Sequence, residues 1–186
     1  MKKILTVIIL SAITVFSVSA QTLKFGHINL QETVQLMAEM DSAKVVLTKY
    51  NNELQKTFTD MQNEFYTKYN TYQKMQATWS PAVLETKGKE LQEMQTRIET
   101  YKQNASTEFQ TKQQTLLNPI FLQAKEAVQK IGKQHGFTYI FDTSVANIPF
   151  INESVSVDVS DMVKKELNIS LDKKLTTQNV QQGALN

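Results

Sequence analysis

Across residues 31–131 only Pro81, Gly88 and Pro119 interrupt a composition rich in Gln, Glu, Lys, Leu, Ala and Met, so the chain is committed to very long helices. Apolar residues in the first half fall at Leu47, Tyr50, Leu54, Phe58, Met61, Phe65, Tyr69, Tyr72, Met75 and Trp79. That is 32 residues in nine steps, or about 3.56 per step, the period of one helical face. The second half repeats the pattern at Leu84, Leu91, Met94, Ile98, Tyr101, Ala105, Phe109, Leu116, Ile120, Ala124, Ala127 and Ile131. Each helix therefore carries one continuous apolar stripe. Eleven-residue recurrences in the first helix (Leu47, Phe58, Tyr69) and sevens early in the second predict only weak supercoiling.

The break between the stripes is Trp79-Ser80-Pro81. Ser80 suits a helix N-cap, and Pro81 suits the first helical position, where its missing N–H would have no partner in any case. The spacing predicts helices over residues 31–78 and 81–135, rods of roughly 70 to 80 Å at 1.5 Å per residue, folded into an antiparallel hairpin arm. Pro119 is expected to kink the second rod. The ends read differently. Residues 23–30 form an expected strand, Gly132 and Gly136 stop the second helix, and residues 137–141 form a second strand closed by Asp142. A third strand is expected at residues 148–151, at a sheet edge because of Pro149. Ser160 is expected to cap a short helix over 161–167, and the Gln-, Asn- and Thr-rich residues 170–186 to form a disordered tail.

The first 20 residues read as a secretory signal peptide: Lys2 and Lys3, an uncharged apolar run, then Val18-Ser19-Ala20 as a cleavage site. Without Lys2 and Lys3, 18 basic side chains face 18 acidic ones. A neutral mature chain argues against general binding of nucleic acid or anionic membranes, which needs surplus cations. No later apolar run approaches the roughly 18 residues that span a bilayer, so a soluble protein without stable membrane insertion is expected. The absence of cysteine removes disulfides, thiolate catalysis and cysteine metal sites, and an exported chain of this kind fits a bacterial periplasm. The organisation is thus α+β: a small β-rich body from residues 21–33 and 132–169, and a helical arm over 34–131 turning near 79–81. A body that small buries too little surface to be secure alone, so oligomerisation is expected. Its candidate contact residues are Phe25, His27, Ile28, Tyr139, Ile140, Phe141, Ile148 and Phe150.

The opening Leu23-Lys24-Phe25-Gly26-His27-Ile28-Asn29-Leu30-Gln31, the Gln/Lys-rich hairpin, the return strand Gly136-Phe137-Thr138-Tyr139-Ile140-Phe141-Asp142 and the closing Val157-Asp158-Val159-Ser160-Asp161-Met162-Val163 together resemble the Skp/OmpH family of periplasmic chaperones. The resemblance implies a homotrimer with a central β-body, and three arms enclosing a cavity that holds unfolded outer-membrane proteins without ATP. Family arms are often strongly basic. Here residues 31–131 carry 12 basic and 12 acidic side chains, a departure that weighs against electrostatic capture and against a lipopolysaccharide site.

Catalytic chemistry finds no support in the residues. His27 and His135 have no acidic or cysteine neighbours at ligand spacing, and read as a strand residue and a helix C-terminal cation. No metal, catalytic residue or cofactor is assigned. Ser170-Leu171-Asp172-Lys173 matches the S-x-x-K spelling without its companion motifs, and no glycine-rich phosphate loop follows a strand. Asp142 and Asp158 read as turn and cap residues. Client-binding candidates lie on the outer arm: Phe65, Tyr66, Tyr69, Tyr72, Met75 and Trp79, since amphipathic aromatics and pliable methionines adapt to many apolar chains. Met61, Phe65, Tyr72, Met75 and Trp79 follow the stripe and read first as hairpin core, whereas Tyr66 lies off it and is expected to project from the flank. Between residues 65 and 89, Lys68, Lys74, Lys87 and Lys89 face only Glu85, which makes the tip locally basic. The alternative function is a periplasmic coiled-coil adaptor or spacer that docks folded partners through the hairpin tip.

Overall fold

The computed structural model describes residues 23–175; the expected leader and residues 176–186 lie outside the described residues. The order is β1 (Phe25–Ile28), α1 (Leu30–Gln35), α2 (Ala38–Met75), α3 (Pro81–His135), β2 (Tyr139–Asp142), β3 (Ser156–Asp158) and α4 (Ser160–Glu166). All three strands are parallel, in the order β2-β1-β3. The first strand is therefore central, although both its partners come from beyond the hairpin, with Phe25 opposite Tyr139 on one side and Ser156 on the other. α2 and α3 stand out from this body as an antiparallel arm, about 57 and 83 Å long from their 38 and 55 residues.

The arm's turn forms as its local chemistry dictates. Ser80 accepts from the Val83 N–H at 3.5 Å with Pro81 as the first helical residue. At the far end Gly136 takes the left-handed conformation, φ 66°, that closes α3. Pro119 sits inside α3, and the helix runs on through it.

Three expectations require correction. The first rod does not run unbroken from residue 31 to 78. It divides at Leu36 and Met37, with Met37 extended at φ −70°, ψ 143°, and ends at Met75. Consecutive residues on a straight helix point about 100° apart. The break lets Val34, Leu36, Met37 and Met40 all reach the same core. Residues 148–151 are not a strand; the third strand is Ser156–Asp158. Asp142 Oδ1 accepts from Ser144 N–H (2.9 Å) and Ser144 Oγ (2.6 Å), which turns the chain out of the sheet. The chain turns again at Asn152, whose Oδ1 accepts from Ser154 N–H at 3.0 Å. Ser160 is not the cap of α4 but its first residue, and Asp158 Oδ1 instead accepts the Ser160 N–H at 2.8 Å.

Two apolar clusters hold the body to the arm. Under the sheet, Ile28, Val159 and Val163 pack against Ala127 and Ile131 of α3. At the arm's root, Val34, Leu36, Met37, Met40 and Ala43 meet Ile120, Ala124 and Ile169. Residues 170–175, expected to belong to a disordered tail, instead lie against the arm: Leu175 packs on the root cluster, and Lys173 Nζ lies 3.0 Å from Asp41 Oδ2; the rest of that expected tail lies outside the described residues. Further out Met94 is the only buried apolar residue of the arm among the described residues, because two helices alone can cover each other on one face only. Polar links supplement the seam. Tyr101 donates to the Leu54 carbonyl at 3.1 Å, and Tyr50 donates to Glu108, whose carboxylate holds the phenol protonated and raises its pKa to about 12. Nearer the tip Lys68 reaches across to Glu90 at 2.5 Å, and Lys87 joins the same carboxylate at 2.8 Å. These two ammonium groups pull the Glu90 carboxyl down to about 2.

Gly26 faces the closest packing in the sheet. A Cβ there would lie 3.1 Å from Val159 Cγ1 and 3.2 Å from both Ile140 Cγ1 and Phe137 Cδ1. Gly26→Ala is expected to cost about 1–3 kcal/mol by overpacking, read as a lower Tm in circular-dichroism melts; an unchanged Tm would show that the three neighbours yield freely. Because the Glu90 carboxyl is depressed in the fold, its contribution is complete above the ordinary carboxylate range near 4.5 and is lost as pH falls through about 2. Glu90→Gln is therefore expected to lower the Tm of the arm at pH 7 and to match the parent once the pH is below about 2.

Candidate functional site

A cleft of about 340 Å³ beside the sheet gathers His27, Asn29, Glu32, Asp158, Asp161 and Lys164, but among the described residues no group of three or more His, Cys, Asp or Glu side chains has the arrangement of a metal site. His27 Nδ1 lies 3.0 Å from Ser156 Oγ, a pairing of imidazole and hydroxyl that the sequence reading missed because 129 residues separate the two. Ser156 is buried at 9% exposure, and the contact ties β1 to β3. No described helix is long and apolar enough to cross a membrane. The surfaces with functional character are therefore the open face of the sheet and the outer arm.

On the sheet, side-chain alternation divides the residues. Gly26 and Ile28 turn inward and are buried, whereas Phe25, Tyr139 and Phe141 line the other face. Phe25 stacks on Tyr139 at 6.4 Å and on Phe141 at 6.4 Å, and Tyr139 and Phe141 are 6.1 Å apart. This aromatic ladder is left uncovered: Tyr139 is 61% and Phe141 44% exposed. Val157 at the sheet's other edge is also exposed, as are Val145, Phe150 and Val155 in the loop between β2 and β3. Of the candidate contact residues, Ile28 is spent on the chain's own core and Ile140 packs against the cluster beneath the sheet. Ile148 is half-buried in the loop.

On the arm, the structure brings Phe65, Tyr66 and Tyr69 together, with Phe65 stacked on Tyr69 at 6.0 Å and edge-on to Tyr66 at 5.9 Å. Tyr72 and Trp79 form a separate edge-to-face pair at 6.1 Å inside the turn. Tyr66 and Tyr69 are exposed, Met75 marginally so, while Phe65, Tyr72 and Trp79 are half-buried. The last three thus serve the hairpin seam first, and the two tyrosines present their faces to solvent. Val83 near the turn, and Val45, Val46, Phe121 and Leu122 near the root, add apolar surface that periodicity did not single out.

The tip's lysines are mostly spoken for. Lys68 is held by Glu90 and, at 3.2 Å, by Glu64; Lys87 by Glu90; and Lys89 by Glu85 at 2.7 Å. Counting charge between residues 65 and 89 stops just short of Glu64 and Glu90, the two carboxylates that neutralise the patch. Elsewhere the arm's outer surface mixes exposed charged residues, among them Lys56, Asp60, Glu93, Arg97 and Lys102, with uncharged polar ones. Thr96, Thr100, Thr107, Thr111 and Thr115 each donate to the carbonyl four residues earlier, so their hydroxyl protons are already used. Between the two helices at mid-arm, Leu54, Phe58, Tyr101, Ala105 and Phe109 border a hollow of about 630 Å³.

Comparison with known proteins agrees with this architecture. A search of curated proteins finds no match. Among solved structures, a protein of Caulobacter crescentus CB15 assigned as an outer membrane chaperone (OmpH-like) superposes with a TM-score of 0.66 at 13% identity, covering 84% of this chain and 93% of that one. The likeness establishes a shared fold. A family model described as outer membrane protein (OmpH-like) matches residues 24–167, the span from the first strand through the last helix, and the chain therefore belongs to the OmpH-like family.

Proposed function

We propose that the protein is an exported, ATP-independent holdase, a homotrimer in the periplasm whose arms surround unfolded outer-membrane β-barrel proteins. The observation that carries this reading is the pairing of an unfinished body with an unfinished arm. Among the described residues the sheet has both edges unpaired, and an aromatic ladder of Phe25, Tyr139 and Phe141 lies on its open face. Three copies joined through these strands would cover the ladder and satisfy the edges. The arm has long apolar stripes that two helices only half cover, and Tyr66 and Tyr69 remain exposed on it. Family membership over residues 24–167 supports a chaperone role, and the signal-like first 20 residues support export.

Retention of a client on this reading rests on many weak apolar contacts around one space. Linked contacts raise one another's effective concentration, so weak binding at each point suffices and no single geometry is demanded. Charge plays a minor part, because the arm is balanced and most tip lysines are already paired.

Light scattering of the mature protein is expected to give about three times the mass of one chain, and Phe141→Asp, at a position exposed in the single subunit, to reduce it to single chains. A stable monomer in the parent protein would overturn the assembly. Mixed with a barrel protein diluted from urea, the parent is expected to suppress light scattering by aggregates at about one trimer per client. Replacing Tyr66 and Tyr69 by Ser is expected to weaken retention about tenfold, roughly 1.4 kcal/mol. Retention by the parent should change little between low and moderate salt, since screening acts on charge pairs; a steep salt slope would transfer the driving force to electrostatics.

A further inference from the structure

At mid-arm the apolar stripe itself is left open. Leu54, Phe58, Ala105 and Phe109 are only half-buried, and they floor the hollow of about 630 Å³ between α2 and α3. Tyr101 completes the floor as a ring alone, because its hydroxyl already donates to the Leu54 carbonyl at 3.1 Å. Ala105, with no side-chain atom beyond Cβ, leaves the floor deep. The rim is of a different kind. Asn51 and Gln55 on α2, and Ser106, Gln110 and Gln113 on α3, border the same hollow. Each of the four carboxamides carries N–H donors and a carbonyl acceptor, the two groups that a peptide unit also carries. Of the described residues that line the hollow, Lys102 alone is charged.

We infer that this hollow receives an extended stretch of about five client residues, every second one apolar, laid along the arm with its apolar side chains on the floor and its backbone against the amide rim. The site rests on the holdase reading and names the part of the client that the arm grips. Spacing supports the match. Residues four apart on a helix are about 6 Å apart along its axis, and same-side residues of an extended chain recur at about 6.7 Å. Leu54 and Phe58, then Tyr101, Ala105 and Phe109, follow that helical step, as do Asn51 and Gln55 on the rim. From Lys102 to Gln113 the rim covers about 16 Å, the length of about five extended residues. Charge complementarity agrees. A peptide backbone bears no net charge and meets an amide rim without stripping water from an ion, while Lys102 turns away segments rich in lysine or arginine. Strands of membrane barrels alternate apolar and polar residues over about ten positions, twice the length required. A free apolar molecule would use the floor and leave the carboxamides unmatched.

The test uses the full mature protein and labelled peptides of about ten residues, read by fluorescence anisotropy. One peptide alternates Leu with Ser and Gln; a second has the same composition with its leucines in one block; a third is the alternating peptide N-methylated at every second backbone amide. The alternating peptide is expected to bind about tenfold more tightly than either of the others, the scale of one or two net hydrogen bonds. Gln55→Ala combined with Gln110→Ala, both at exposed positions, is expected to abolish that preference. Ala105→Phe, which fills the floor, is expected to weaken the alternating peptide about tenfold without lowering the Tm in circular-dichroism melts. Should that variant fold poorly, the two glutamine replacements still decide. Equal binding of the alternating and blocked peptides would overturn the site, as would a preference that survives both variants. Insensitivity to N-methylation would also overturn it, by assigning the hollow to a free apolar group. Suppression of barrel-protein aggregation is measured alongside, and suppression without peptide preference would sink this site while leaving the holdase reading in place.

Discussion

The structure depends on the burial of the first strand between two others that the chain reaches only after the whole hairpin. Ile28 has essentially no exposed surface, and it is sealed by Val159 and Val163 from the far end of the chain and by Ala127 and Ile131 from the end of the second long helix. Four residues of strand cannot hold themselves extended. Pairing on both sides, with Gly26 admitting Val159, Ile140 and Phe137 close to the backbone, supplies what local propensity lacks. The arm is in this sense one long connection between two parallel strands, and its root is fixed wherever the sheet is fixed.

From that root outward the balance of interactions changes. Near the body, three layers of side chains meet and cover one another; beyond Ala43 and Ile120, two helices have only each other. A pair of rods buries a stripe and leaves the flanks wet, so the arm is held by half-covered aromatics and by side-chain links such as Lys68 to Glu90 and Tyr101 to the Leu54 carbonyl. This is the geometry that the proposed role uses. Apolar area that cannot be covered within one arm is available to another chain, and the hydroxyl and amide surface around it carries little net charge to select among partners.

Legibility in the sequence followed the range of the forces involved. The second long helix was readable at both ends, because Ser80-Pro81 and Gly136 act on their own turns. The division at Leu36 and Met37 was not. Neither residue breaks helices, and the break exists because both side chains, with Val34 and Met40, are drawn into a cluster that includes Ile120 and Ile169 from remote parts of the chain. The third strand was readable in principle, since Val155, Val157 and Val159 alternate with Ser156 and Asp158. The apolar run at Ile148 to Ile151 is more conspicuous, yet turns at Asp142 and Asn152 hold it outside the sheet. At the tip the lysines were visible in the sequence, but Glu90 lies 22 residues from Lys68 and meets it only once the hairpin has closed.

Periodicity, caps and the scarcity of breakers were enough to determine that this chain makes two long apolar-striped helices joined at Ser80-Pro81 between small extended ends, because those features act between residues a few positions apart. Which strands pair, which lysines are free, where the first rod bends and which aromatic faces remain open were decided only by tertiary structure. Each of these is set by contacts between residues tens to more than a hundred positions apart, and burial there outweighs whatever the local sequence prefers.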